Sequence, residues 1–154
     1  MAIQIKNLDQ IKVMRRAGIV VAEIHQLIRD AIKPGMTTSA LDAIAASHIK
    51  RSGATSNFLN YHGYPATICV SVNDEIVHGI PGDRIMNDGD VVSIDCGAII
   101  EGWHGDAALS VGIGSVDPAD QKLMDLRRID VGWNRGGQKW GKTFRYWLCN
   151  RAVC

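Results

Sequence analysis

The 154-residue sequence has no apolar run that approaches the roughly 18 residues needed to cross a membrane. Residues 1–12 contain no apolar signal core and no cleavage site, so we expect neither secretion nor a membrane partner and predict a cytoplasmic protein. The four cysteines form no CxxC pair, which gives no basis for a disulfide framework and favours reduced thiols. What remains is a chain with 46% hydrophobic and 21% charged residues, a composition typical of a globular domain.

Charge is divided unevenly along the chain. Residues 1–126 contain ten Lys and Arg against fifteen Asp and Glu, whereas residues 127–154 contain seven against one. The net charge of +1 gives no case for a nucleic-acid partner. The segment 127–154 also holds three of the four tryptophans and four glycines that interrupt any helical or strand period. A basic and aromatic tail could bind RNA, and that interpretation stays open as a rival.

Hydrophobic periodicity predicts an α+β order of elements. An amphipathic helix is expected over residues 8–32 with Asn7 as its N-cap, and a second helix over 39–51. Strands are expected over 66–72 and 91–100, and residues 75–82 are expected to form a short strand that runs into a loop. Glu101 and Gly102 are expected to form a turn, with a returning strand within 102–114. Asp117 and Pro118 then begin a helix. We expect His25 and His48, on the two long helices, to be solvated or at the edge of the core.

Two aspartates in the predicted hairpin form the strongest candidate site. With a turn near residues 100–101, Asp95 and Asp106 would lie directly opposite each other on adjacent antiparallel strands, with Cβ atoms roughly 5 Å apart. Two opposed carboxylates repel each other, so a divalent cation or a shared proton is expected between them. The alternative is that one aspartate caps a turn or faces water.

Other motifs near this hairpin carry groups suited to chemistry. His78 lies in HGIP at a strand-to-loop junction, and His104 comes just before the strand of Asp106. The segment YHGYP at 61–65 brings two tyrosines and a histidine into one loop, which is a suitable wall for an apolar pocket. Each motif by itself is weak, because a lone loop histidine is more often structural than functional.

Together these segments resemble a known family. YHGYP at 61–65, SVNDEIVHGIP at 71–81, DGDVVSIDCG at 88–97 and GWHGDAALSVGIG at 102–114 are similar to the N-terminal half of bacterial type I methionine aminopeptidases. The resemblance covers residues 1–126 and does not extend to 127–154. It implies the "pita-bread" α+β fold, of which this chain would hold the N-terminal half, and removal of the initiator methionine from nascent proteins with a small second residue.

The resemblance also implies roles for individual residues. Asp95 and Asp106 match two metal-ligand aspartates of a site that holds two divalent ions, which would be Co, Mn, Fe or Zn. His78 matches a catalytic histidine that contacts the substrate. The methionine pocket would be lined by the loop residues and their neighbours: Tyr61, His62, Tyr64, Phe58, Cys69 and Trp103. The partners would be N-terminal peptides of nascent proteins, close to the ribosome.

The sequence departs from the family after residue 126. The family site takes one histidine and two glutamates from its C-terminal half, but residues 107–154 contain neither residue type. We therefore expect an incomplete metal site and an inactive truncated chain, with 127–154 as an aberrant tail produced by a frameshift. Resequencing the coding DNA tests that interpretation. Two alternatives stay open: a non-catalytic peptide-binding module on the same scaffold, and a proline-specific peptidase of the same fold.

Overall fold

The computed structural model describes residues 5–125, which fall into two compact units divided between Val116 and Asp117. The second unit, where described, contains helix α3 over residues 118–125. The first contains two helices followed by four strands: α1 (Leu8–Ala31), α2 (Thr38–Arg51), β1 (Thr55–Ser56), β2 (Ile68–Val72), β3 (Val91–Ile100) and β4 (Trp103–Gly112). The predicted α+β order is confirmed.

The tail over residues 127–154 lies outside the described residues, so the domain boundary near 126, the frameshift and the RNA-binding rival stay predictions. Within the part of the chain that is described, none of the helices combines the length and the apolar character that a membrane span requires.

Strand β3 is the centre of an antiparallel sheet. It pairs with β4 along its whole length on one edge, from Val91 opposite Gly112 to Ile100 opposite Trp103. On its other edge it pairs first with β2 and then with the two-residue β1. The predicted β3 has the bounds that the structure shows, and β1 was too short to predict from its sequence.

Local sequence explains where the two long helices begin. The Asn7 side chain accepts from the Gln10 backbone N–H, and the Gln10 side chain accepts from the Asn7 N–H, both at 2.9 Å. This reciprocal capping box supplies acceptors for backbone donors that the first helical turn leaves unpaired. Thr37 caps α2 in the simpler way, with its hydroxyl accepting from the Ala40 N–H. The predicted N-cap of α1 is therefore confirmed, and α2 begins one residue earlier than predicted.

The core lies between the helices and one face of the sheet. Ile24 and Ile28 of α1, Leu41 of α2 and Ile94 of β3 are completely buried there. Helix α1 packs against both β3 and β4. Gly105 permits the close approach, because a Cβ built on it would lie 2.5 Å from the Gly18 nitrogen and 2.6 Å from the Ala17 carbonyl carbon.

We expect Gly105→Ala to lower the free energy of unfolding by about 1–3 kcal/mol, because the new methyl group pushes the backbone of α1 away from β4. Gly18→Ala is the matched control on the other side of this contact, since its Cβ would meet no atom within 4 Å. In a helix it should instead stabilise by up to about 1 kcal/mol. Urea titrations of both variants measure the difference; equal effects would contradict the packing argument.

The short strand predicted at the start of residues 75–82 is wrong, whereas the loop predicted after it is present. Those residues form an irregular loop that connects the turn at Asn73 to the β3 hairpin. Its backbone touches the sheet at Gly79, whose carbonyl accepts from the Val70 N–H at 2.9 Å. The β-branched residues Ile76 and Val77, which suggested a strand, are exposed.

The two helix histidines have different environments. His48 forms a 2.9 Å contact with Glu23, whereas His25 is buried with 8% of its surface exposed. Loss of hydration on burial, with a smaller contribution from the positive charge of Arg29, lowers the pKa of His25 to about 4. The expectation of a solvated or edge position is therefore wrong for His25.

This lowered pKa predicts acid sensitivity. Between pH 6.5 and pH 4 the unfolded chain binds a proton at His25 while the folded chain does not, so stability falls as the pH falls. We expect this group alone to remove about 2 kcal/mol between pH 7 and pH 5. His25→Leu should remove that share of the pH dependence, whereas His48→Gln should retain it. Unfolding curves at several pH values with parallel slopes for wild type and His25→Leu would contradict the assignment.

Candidate metal and substrate site

Strand alternation gives the sheet one apolar and one polar face. The face away from the helices carries Asp95 and Asp106 together with small or polar side chains. We call this the aspartate face; on the paired strands it also includes Cys69, Ser71, Ser93, Gly97, His104, Ala108 and Ser110. The two carboxylates therefore lie on one side of the sheet, as the sequence predicted.

The prediction that Asp95 and Asp106 lie directly opposite each other, however, is wrong. Asp95 is paired with Ala108, and Asp106 is paired with Gly97. The hairpin closes through Glu101 and Gly102, whose φ values of 51° and 77° are typical of a two-residue turn. This turn shifts the register by two residues from the one predicted, and a two-residue shift keeps each side chain on its face. The aspartates are thus diagonal neighbours, whose side chains can still reach a shared ion.

Asp95 has the environment expected of a ligand. Its Oδ1 is buried and has no hydrogen-bond partner among residues 5–125. A buried carboxylate oxygen without a donor is costly unless a cation or a proton neutralises it. The same described residues contain no group of three or more His, Cys, Asp or Glu side chains arranged to hold a metal ion. Among the described residues, a divalent ion on this face would therefore have at most two ligands of these types, the carboxylates of Asp95 and Asp106.

Cys69 lies beside Asp95 in the register of β2 and β3. Burial raises the pKa of its thiol, and the negative charges of Asp95 and Asp106 raise it further. The thiol is therefore protonated at neutral pH. In that form Cys69 can form part of an apolar wall but does not offer the thiolate that binds metal.

Tyr64 joins the YHGYP loop to the rest of the site. Its hydroxyl lies 3.1 Å from the Ile68 carbonyl oxygen and 3.0 Å from that of Gly79, to which it donates its single hydrogen. Burial, more than the neighbouring thiol and carboxylates, raises its pKa far above the ordinary value, so it stays a neutral donor. The Phe58 ring meets the Tyr64 ring edge-on at 6.4 Å. Tyr64 thus both anchors the YHGYP loop and lines the site.

The outer part of the same loop is accessible. Tyr61 and His62 are exposed, and their rings contact each other with centroids 4.4 Å apart. Asn60 and His62 both have left-handed backbone conformations, with φ of 67° and 48°. These conformations turn the chain sharply and present both rings at the surface.

His78 is exposed and has a left-handed backbone with φ of 59°. Such a conformation is uncommon outside glycine and often occurs at functional positions. The next residue holds it in place, because the Gly79 N–H donates to the Ser71 hydroxyl at 3.1 Å. Ser71 is a member of the aspartate face, so His78 lies next to the residues that border this face.

The structure places Trp103 away from the pocket that it was predicted to line. It alternates with His104 and Asp106 on β4 and therefore lies on the face that the helices cover. Its ring is contacted by the Lys6 ammonium group, 5.3 Å from the ring centroid. We leave Trp103 out of the pocket. The sequence prediction also missed Asn57, whose side chain lies over Gly97 on the aspartate face.

Comparisons with known proteins agree with this geometry. Residues 12–128 match the family described as metallopeptidase family M24. The chain is 49% identical to methionine aminopeptidase 1 of Mycobacterium tuberculosis and 46% identical to that of Bacillus subtilis, over 80% and 79% of its length. These matches cover 47% and 49% of the two relatives, so the chain spans about half their length.

A solved structure shows the same arrangement of elements. The methionine aminopeptidase of Thermotoga maritima superposes with a TM-score of 0.80 at 35% identity, over 82% of this chain and 51% of that one. Prolidase from Pyrococcus furiosus, at 18% identity and a TM-score of 0.66, shares the fold.

Proposed function

Because the chain belongs to metallopeptidase family M24, we propose that its aspartate face is half of a metal-dependent aminopeptidase site that removes N-terminal methionine. The observation that carries the proposal is the buried Oδ1 of Asp95, which has no hydrogen-bond partner within residues 5–125 and lies on the same sheet face as Asp106. Hard carboxylate oxygens suit first-row divalent ions, with Co, Mn, Fe and Zn as candidates. Such ions, when bound, supply Lewis acidity and an activated water.

The remaining residues of the site act on the substrate. His78 contacts the substrate next to the aspartate face, held there by the Gly79–Ser71 hydrogen bond. The methionine side chain packs against Tyr61, His62, Tyr64, Phe58 and Cys69, which form a wall of aromatic rings and one neutral thiol. The substrates are N-terminal peptides of new proteins with a small second residue, bound in the cytoplasm near the ribosome.

The 154 residues alone supply two carboxylates to this site and no histidine or glutamate after position 106. We therefore propose that they bind one ion weakly and need a second half of the domain for turnover. With so few charged ligands, a dissociation constant for Mn²⁺ on the order of 0.1–1 mM is expected.

Calorimetric titration with Mn²⁺ tests the proposal. Asp95→Asn and Asp106→Asn should each weaken binding about tenfold or more, because each removes one of two charged ligands. Asp30→Asn, an exposed change of the same charge on α1, should leave binding unaltered. A non-catalytic peptide-binding module predicts no effect of either site variant and metal-independent binding of a Met-Ala-Ser peptide; that outcome would replace the proposal.

A further inference from the structure

Asn57 extends the pairing of β1 by one residue. Thr55 and Ser56 are paired with Ile99 and Ala98, and the Asn57 N–H then donates to the Gly97 carbonyl at 3.1 Å. Gly97 is paired on its other edge with Asp106. Asn57, Gly97 and Asp106 therefore form one row across the sheet, two residues along β3 from Asp95.

Because Gly97 has no side chain, the side chain of Asn57 can lie over this row. A Cβ on Gly97 would point to the aspartate face and lie 2.4 Å from the Asn57 Nδ2 and 2.6 Å from its Cγ. The Asn57 amide occupies that space, and its Nδ2 reaches the Gly105 carbonyl of β4 at a long 3.5 Å. The amide thus lies over Gly97, the residue paired with Asp106, on the face that carries both aspartates.

The amide oxygen of Asn57 resembles the Oδ1 of Asp95 in its burial and its lack of a described hydrogen-bond partner. Asn57 Oδ1 and Asp95 Oδ1 are both buried, and within residues 5–125 neither has a hydrogen-bond partner. Two acceptors cannot satisfy each other, so each of these oxygens calls for a donor or a cation. Oxygen ligands of this kind, carboxylates and a neutral amide carbonyl, are those that hard divalent ions prefer.

We propose that Asn57 Oδ1 is a third oxygen ligand of the divalent ion held by Asp95 and Asp106, an inference that rests on the proposed metal site. The first half of the domain would then contribute a neutral ligand in addition to its two charged ones. An amide oxygen ligand would increase the preference of the site for oxygen-binding ions such as Mn²⁺. Asn57 would therefore influence which ions bind.

Two substitutions at this position separate a ligand from a structural bridge. Asn57→Ala removes both the oxygen and the Nδ2 donor, and we expect it to weaken Mn²⁺ binding about tenfold. Asn57→Asp keeps an oxygen, adds a charge and loses the donor to Gly105, so a ligand role predicts Mn²⁺ binding tighter by about threefold or more. A role limited to the side-chain bridge to Gly105 predicts weaker binding for both variants.

The titration is made on the 154-residue chain with MnCl₂, read by calorimetry and by the loss of the free Mn²⁺ electron paramagnetic resonance signal. Asn60→Asp, an exposed change of the same charge three residues away, controls for general electrostatic attraction and should tighten binding less than Asn57→Asp. Thermal melting without metal checks that each variant is folded.

Each outcome decides between the two claims. If Asp95→Asn abolishes binding while Asn57→Ala leaves it unaltered, or Asn57→Asp weakens it, the Asn57 ligand is refuted and the metal site stands. If wild type shows no Mn²⁺ binding that depends on Asp95, the metal site itself is refuted together with its third ligand. Binding that weakens with Asn57→Ala and tightens most with Asn57→Asp supports the inference.

Discussion

Methionine release by a protein made only of these 154 residues is expected to be about a thousandfold or more below that of an intact relative. The reason lies in the ligands. Asp95 and Asp106 are diagonal neighbours on an open sheet face, and the sequence beyond Asp106 contains no further histidine or glutamate. A site with two charged ligands binds ions weakly and does not fix the geometry that an activated water requires.

The assay is release of methionine from Met-Ala-Ser in the presence of MnCl₂ or CoCl₂ at several concentrations. The Bacillus subtilis relative, of which the match covers 49%, serves as the positive control under the same conditions. Turnover within about tenfold of that control at saturating metal would show that residues 1–154 contain a complete active site, contrary to our account.

The second large effect is expected at Gly79. A Cβ on this residue would lie 2.1 Å from the Val70 carbonyl oxygen and 2.8 Å from its carbon, both in the middle of β2. The clash cannot be relieved by a side-chain rotation, because both atoms are backbone. We therefore expect Gly79→Ala to lower the free energy of unfolding by about 3 kcal/mol.

Several contacts converge on Gly79, so the substitution should also disturb the site. The Gly79 carbonyl accepts from the Val70 N–H at 2.9 Å and lies 3.0 Å from the Tyr64 hydroxyl. Displacing it releases the YHGYP loop from β2 and moves His78, the adjacent residue. Gly82→Ala is the control in the same loop, since its nearest atom, the Ile80 carbonyl oxygen, is 4.0 Å away. Equal denaturation midpoints for the two variants would contradict this description of the loop.

The sequence predicted the faces of the sheet better than its register. A period of two residues places Asp95 and Asp106 on one face whichever pair of residues forms a two-residue turn, so their proximity could be inferred. The register depends on which pair forms the turn, and the hairpin closes through Glu101 and Gly102, whose φ values are positive. That turn was predicted from its glycine, but the opposition of the two aspartates assumed a turn near residues 100–101, so the pairing of Asp106 with Gly97 was missed.

Long-range packing limited the rest of the prediction. The capping box at Asn7 depends on residues three apart and was predictable in part. The place of Asn57 depends on β1 pairing with the far end of β3, about 40 residues later in the chain, which no local pattern encodes. The loop at 75–82 contains apolar residues typical of strands, but contacts at Gly79 with β2 and at Gly82 with α2 hold it as a loop.

The most direct test of the central claim, that residues 1–125 form a functional first half of a family M24 site, is a fusion. Residues 1–125 are joined to the downstream half of the Bacillus subtilis relative, and Mn²⁺-dependent release of methionine from Met-Ala-Ser is measured. Our account predicts activity for the fusion and its loss in the fusion carrying Asp95→Asn. A folded fusion that releases no methionine, or one that is equally active with Asp95→Asn, would contradict it.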